Sequence, residues 1–544
     1  MLEALGSAAG HDGTALDVLV VGGGITGAGV ALDAAARGLR TALVERDDFA
    51  SGTSSKSSKM VHGGLRYLQN GEVKLVHEAL RERTRLTRNA PHLVETLPFL
   101  IPVLTKDGVV SRKIARALGS ALWMYDASGG WRIGRLHRRL DAAAAARHFP
   151  TAPTSRLSGG YLYFDAAADD ARLTLTIART AADRGAIVLN RAAVTGVAHD
   201  ASTGLHTVRV DADGTSLDVA SRAVVVAAGV WADEVRALDE PQHPVSLRPA
   251  KGVHASIPWE LVRNDIAVIV PIRRDRRSMF LVPWGRLPGG GFRHTYIGTT
   301  DTDYDGPLDA PRCDGDDLDY LLTALNEAIE GSVSRDDVTG VWAGLRPLVR
   351  ADDDGATTDL SRRHRIEVSP SGVVSVTGGK LTTYRRMAQD AVDVVEAQLG
   401  RRRSPLRGGA TRRLRLHGAG AQRRGDGDHL DRRYGTDAAD VRALTALDAD
   451  LARPLVEGQP YLRAEAVYAV RHEMATTLED VLCRRTRAHL FDRSACRRAA
   501  PHLADLMAGE LGWDAAERDR RLTSYLDLCA AEERALEHQT HAAH

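Results

Sequence analysis

Residues 17–47 read DVLVVGGGITGAGVALDAAARGLRTALVERD, and no other stretch restricts the fold as much. An apolar run, Val18 to Val21, enters a turn in which Gly22, Gly24 and Gly27 form G-x-G-x-x-G; an alanine-rich helix follows, then a second apolar run that ends at Glu45. Strand, glycine turn, helix and strand in this order make a parallel pair in a doubly wound, Rossmann-like α/β sheet. The glycines let backbone N–H groups and the helix dipole approach a pyrophosphate, and an acid at the end of the second strand accepts a ribose hydroxyl. Glu45 disfavours a 2′-phosphate, which leaves NAD or FAD rather than NADP. The bland alternative is a tight turn with no ligand.

Two distant segments favour the longer cofactor. VVVAAGVWAD, from Val224 to Asp233, supplies a second buried strand entering a glycine turn with Gly229 and Trp231, and VTGGKLTTYRRMA, from Val376, supplies a third with Gly379, Lys380, Leu381 and Thr382. Contributions hundreds of residues apart suit an extended FAD. Between them, His243 to Thr302 is a series of short β-rich runs broken by Pro and Gly, the pattern of an antiparallel sheet. From about Leu430 onward Leu and Ala recur at helical spacing.

The expected organisation is a flexible tail over 1–14; a discontinuous FAD-binding domain over 15–95, 155–240 and 340–399; an antiparallel β substrate domain over 96–154 and 241–339; an Arg/Gly-rich linker over 400–428; and an all-α C-terminal domain over 429–544. With 72 Lys plus Arg against 71 Asp plus Glu there is no cationic field to bind nucleic acid, and the Arg-rich linker lacks interleaved aromatics. Cys313, Cys483, Cys496 and Cys529 form no Cys-x-x-Cys pair, and no run approaches the roughly 18 apolar residues of a spanning helix, so a cytoplasmic protein is expected. His538, His541 and His544 lack metal-site partners, and no metal is expected.

The segment SGTSSKSSKMVHGGLRYLQNGEVKLVHEALRER, residues 51–83, together with GTTD, GLRPL, GGKLTTYR and VRHEMATTLEDVLCRRTR (470–487), closely resembles FAD-dependent glycerol-3-phosphate dehydrogenase. Amine-oxidising relatives share the glycine fingerprint but not this set. The resemblance implies noncovalent FAD, oxidation of sn-glycerol 3-phosphate to dihydroxyacetone phosphate, electron delivery to membrane quinone, and peripheral attachment to the inner face of the cell membrane. A homodimer is left open. The rivals are an oxidase that uses oxygen and an amine or 2-hydroxy-acid oxidising flavoenzyme of the same fold.

A polyol phosphate needs fixed cations for its dianion and a proton acceptor for its alcohol. Arg66, Arg346 and Lys380 are the candidate cations, with Tyr67 and Thr382 as further substrate contacts. Lys380 at a helix start also suits the negative charge that develops on a reduced flavin. His62 and His254 are the candidate bases, His62 favoured, and Arg346 could lower the alcohol's pKa beside either. Ser54, Ser58 and Lys59 lie in a polar loop suited to flavin contacts, shared with His62, while Asp301 orders the sheet or caps the next segment. Finally, Ile114, Leu118 and Leu122 recur every four residues among Arg112, Lys113 and Arg116 with Trp123 alongside, the composition of either an interfacial helix or a core-facing one.

Overall fold

The computed structural model describes residues 2–7, 15–65, 67, 72–104, 112–272, 277–350, 364–401, 409–420 and 427–537, with the side chains of 112–116 outside the description. A six-stranded sheet carries the nucleotide fingerprint, in the spatial order His364–Val368, Val374–Gly378, Val224–Val226, Val18–Val21, Thr41–Val44, Ile187–Leu189. All neighbours are parallel except the antiparallel edge pair at 364–378. Its central strands are buried on both faces, which is why they read as unbroken Val/Leu runs. The helices Ile25–Ala36, Asp170–Asp183 and Tyr384–Gln398 pack against one another in one apolar core with strand residues Val18, Val20 and Val225.

A ten-stranded sheet forms the second layer, with neighbours antiparallel except for one parallel pair between Glu95–Leu104 and Ala267–Pro271. The helix Gly315–Asn326 seals its far face through Leu318, Leu321, Leu322 and Leu325. Strand membership differs from the sequence ranges. Leu157–Ala167 and Gly340–Val349 fall within ranges assigned to the nucleotide layer, yet both pair in the large sheet. The helices between His429 and Glu537 make a third body, and its short helix Ala488–Phe491 abuts Gly340, where a Cβ would lie 2.3 Å from the Leu490 carbonyl oxygen.

Two expectations are corrected here, and one choice left open is decided. Leu2–Ser7 is a helix rather than tail, because its Leu5 finds an apolar slot with Leu16 and Leu19 and is fully buried. Part of the linker is also packed: Thr411 Oγ1 donates to the buried Asp33 carboxylate at 2.7 Å, and Leu416 is buried in the nucleotide core. The stripe on helix Arg112–Ala127 faces inward, with Leu122 fully buried beside Leu80 and Tyr125 and Leu118 half-buried against them. Trp123 and Met124 face solvent instead, 62% and 50% exposed. Ile114 and its basic neighbours fall in the segment whose side chains lie outside the description.

Candidate functional site

The glycine turn closes tightly on its neighbours. Gly22 has φ +110°, and a Cβ there would stand 2.7 Å from the Ala227 oxygen; one at Gly27 would stand 1.8 Å from the Gly22 oxygen. Only glycine tolerates either position. The helix that follows has no side-chain cap at Gly24, and Gly22, Gly24, Ile25 and Thr26 face a cavity of about 790 Å³. Gly27 lies behind that wall, and its part is packing. Ser54 Oγ accepts the Ile25 N–H at 2.8 Å, tying the polar loop to the first helical turn.

Glu45 lies in the same wall. Its Oε2 accepts from Gly23 N at 2.6 Å and its Oε1 from Asp47 N at 2.8 Å. Burial outweighs these two bonds and pushes the carboxyl up to about 6. Gly229 and Trp231 line the cavity close by, where the Trp231 indole N–H donates to Asp309 at 2.9 Å.

His62, Tyr67, Gly379, Lys380, Leu381 and Thr382 also line the cavity. The His62 N–H donates to Thr382 Oγ1 at 3.2 Å, which joins the HGG loop to the GGKLTT turn across 320 residues of sequence. Lys380 Nζ sits 3.5 Å from the centroid of the Tyr67 ring, a cation–π contact that fixes both side chains. Arg66 lies outside the described residues.

On the large-sheet side, Arg346 is held in place by several acceptors. Its Nη1 donates to Asp301 Oδ1 at 2.9 Å, and its Nη2 donates to Thr299 Oγ1 and the Thr300 carbonyl, each at 3.1 Å. Gly252 leaves room for it, since a Cβ there would come 2.5 Å from Nη2. Asp301 is therefore the orienting partner of Arg346 and lines the cavity with it.

His254 lines the cavity with His62, whereas Lys59 does not. His254 is buried and stacked flat on Trp342 at 4.9 Å, with Nε2 2.8 Å from Ser58 Oγ. Burial, then the charges of Lys59 and Arg346, hold its pKa well below the usual histidine value. That environment suits a neutral ring that orients Ser58, which itself faces the cavity. Lys59, expected at the cofactor, does not line the cavity. It turns into the interior, fully buried, 3.4 Å from Asp170 and 4.5 Å over the Trp342 ring, and burial pushes its ammonium down to about 8.

Sequence reasoning missed two groups. Arg277 lines the cavity and donates to the Asp301 carbonyl at 3.1 Å; in a chain so rich in arginine its DRRSM context carries no signal. The HGG loop is held from behind by Asp165 and Tyr125: the Tyr125 hydroxyl donates to Asp165 at 2.6 Å and accepts from Gly63 N at 3.0 Å, while Arg83 pairs with the same carboxylate at 2.5 Å. Arg83 ends the motif that begins at Ser51, and its charged position on a buried helix face was the available sign.

Residues 17–385 match the family model described as FAD dependent oxidoreductase, and 401–518 match the C-terminal domain of alpha-glycerophosphate oxidase. The chain is 40% identical over 534 residues to glycerol-3-phosphate dehydrogenase 2 of Mycobacterium tuberculosis, covering 95% of this chain and 88% of that one. It is 35% identical to the mitochondrial glycerol-3-phosphate dehydrogenase SDP6 of Arabidopsis thaliana, over 93% of this chain and 85% of the relative. The crystal structure of the Bacillus halodurans glycerol-3-phosphate dehydrogenase complexed with FAD superposes with a TM-score of 0.75 at 30% identity, covering 100% and 98% of the two chains. The cofactor is FAD, and the uncapped helix start, the buried acid and the glycine turn suit its pyrophosphate and ribose. The chain belongs to the family of FAD-dependent glycerol-3-phosphate dehydrogenases.

Proposed function

We propose that the protein oxidises sn-glycerol 3-phosphate to dihydroxyacetone phosphate and that the electrons leave to a membrane quinone. One observation carries this reading: the guanidinium of Arg346, anchored by Asp301, lines the same cavity as Arg277, Lys380 and His62. A carboxylate substrate needs one such cation; a phosphate dianion uses several. Bound FAD supplies the hydride acceptor.

Arg346 and Arg277 hold the phosphate, since a guanidinium already fixed by its neighbours loses little freedom on gripping an anion. Lys380, steadied over Tyr67, adds positive charge at the start of a helix, where negative charge is favoured. His62 takes the proton from the substrate hydroxyl, and Thr382, which accepts the His62 backbone N–H, keeps that loop in place. Neutral His254 orients Ser58 towards the cofactor. Glu45 accepts ribose hydroxyls with the lone pairs that Gly23 and Asp47 leave free.

Among the described residues no helix is long and apolar enough to cross a membrane. We assign bilayer contact to exposed Trp123, Met124 and Trp131, whose amphipathic rings and soft side chain suit a headgroup interface. The rival reading is an oxygen-using oxidase, because the matched C-terminal model takes its description from alpha-glycerophosphate oxidase. Turnover with a soluble quinone analogue against peroxide yield in air separates them: quinone-dependent turnover with little peroxide supports the dehydrogenase, and stoichiometric peroxide overturns it.

A further inference from the structure

The C-terminal helices grip the cofactor loop from behind. Asp48, three residues after Glu45 and fully buried, accepts from Arg484 Nε at 2.6 Å, from Arg485 Nη1 at 2.7 Å and Nη2 at 2.8 Å, and from Asn190 Nδ2 at 3.0 Å. Four donors saturate one carboxylate. Two of them come from the guanidinium of Arg485, and Arg484 and Arg485 both lie on the turn Asp480–Arg485 of the helical body.

The grip extends to both flanks of that loop. Asp480, on the same turn, accepts twice from Arg191 Nη2, at 2.7 and 2.9 Å. Arg191 N donates to the Asp47 carbonyl at 3.0 Å, and Ala192 N donates to the Glu45 carbonyl at 2.8 Å. At the other end, Arg487 bonds the Ser55 carbonyl and donates to Asp170 at 2.9 Å, beside the Ser54 hydroxyl that accepts from Ile25 N. Within the loop itself, Ala50 N donates to the Gly23 carbonyl at 3.1 Å, so its position and that of the glycine turn are linked.

We infer that the C-terminal domain works as a cofactor clamp: Asp480, Arg484 and Arg485 are positioning residues that hold Asp48 and Arg191 so that the Glu45 carboxylate stays at the ribose position. This rests on the reading of Glu45 as the ribose acceptor. None of the three lines the cavity, so their effect reaches the cofactor through the loop. Partners that fix a metal-ligating side chain cost on the order of tenfold or more in affinity when removed, and the same scale is taken for a partner that fixes the ribose acceptor. A buried charged network also restricts the loop to one arrangement more strictly than apolar packing would.

The test uses the full-length holoenzyme, with FAD dissociation constants measured by flavin fluorescence after reversible removal of FAD, and with kcat and KM for glycerol 3-phosphate at saturating FAD. Arg485→Lys and Arg191→Gln should each weaken FAD by about tenfold or more while kcat and KM stay within about twofold. Arg191 is partly exposed, so its variant still reports if Arg485→Lys fails to fold. Leu503→Ala is the control, because it opens the same helical body without touching the loop; the clamp predicts little change in its FAD affinity. Equal FAD loss in Leu503→Ala, or unchanged FAD affinity in Arg191→Gln, overturns the clamp. Glu45→Ala separates the two layers of the argument: weakened FAD there with intact affinity in the clamp variants removes the clamp alone, and intact affinity in Glu45→Ala removes the ribose reading and the clamp with it.

Discussion

Arg346 and Asp301 face each other in the cavity wall with Nη1 and Oδ1 2.9 Å apart, and Thr299 and Thr300 hold the second guanidinium nitrogen. An arginine with both terminal nitrogens fixed before substrate arrives is a preformed anion receptor. Arg346→Leu should raise KM for glycerol 3-phosphate by about 2 to 4 kcal/mol of lost binding and leave the poor turnover of glycerol itself almost unchanged. Asp301→Asn keeps the shape and weakens the anchor, which should cost about 1 kcal/mol. Steady-state kinetics with both substrates measures the difference, and equal losses for glycerol and its phosphate would remove Arg346 from phosphate recognition.

The proposed roles of the two histidines predict different losses on replacement. His62→Gln should lower kcat by roughly 10² to 10⁴ with the flavin still bound, the span expected on losing a general base. His254→Asn should lower it about tenfold or less, since a neutral ring stacked on Trp342 acts through Ser58. Single-turnover reduction of the flavin reports both. A larger loss in His254→Asn than in His62→Gln would reverse the assignment.

Lys59→Met should leave FAD affinity unchanged and lower stability by about 1 to 3 kcal/mol, because Asp170 keeps Arg487 and Ser57 as partners. Thermal unfolding of the holoenzyme and FAD titration test the two halves separately. Weaker FAD binding in this variant would return Lys59 to the cofactor site.

The proposed ribose contact of Glu45 predicts a pH dependence of FAD binding. With its carboxyl raised to about 6, the anion that accepts ribose hydroxyls is lost as pH falls below 6, so FAD affinity should drop from pH 7 to pH 5. Glu45→Gln should bind FAD less tightly at pH 7 and should lose that slope. FAD dissociation constants across this range decide it.

Stability also depends on buried histidines, with opposite signs. Burial lowers His294 to about 4, so between pH 6.5 and 4 the unfolded chain binds a proton that the folded chain refuses; the stability present above 6.5 is lost as pH falls, on the order of 3 kcal/mol. His489, against Glu532 at 2.9 Å, is raised to about 10, and its contribution, complete below 6.5, is lost as pH rises through 10. Melting temperatures of His294→Gln against the parent should converge near pH 4.5 and diverge near pH 7.5.

Much of this was legible in the chain. The parallel core strands are continuous apolar runs because both faces are covered, and the glycine turn is explicit because only glycine survives contacts of 1.8 to 2.7 Å. The clustering of HGGLRY, GLRPL and GGKLTT residues around one cavity came from motif resemblance, since no local periodicity joins His62 to Thr382. Side-chain direction was not legible. Ser58 and Lys59 are adjacent in a polar loop, yet one faces the cavity and the other the interior, where Asp170 and Trp342 receive it. Likewise the stripe through Leu118 and Leu122 has a helical period whichever way it faces, and only tertiary packing turned it inward.

Anaerobic titration of the purified holoenzyme with glycerol 3-phosphate, followed by flavin absorbance, tests the central claim most directly. Stoichiometric bleaching by the phosphate ester, with glycerol at the same concentration bleaching the flavin far more slowly, is the expected result. A flavin spectrum that glycerol 3-phosphate leaves untouched would contradict it.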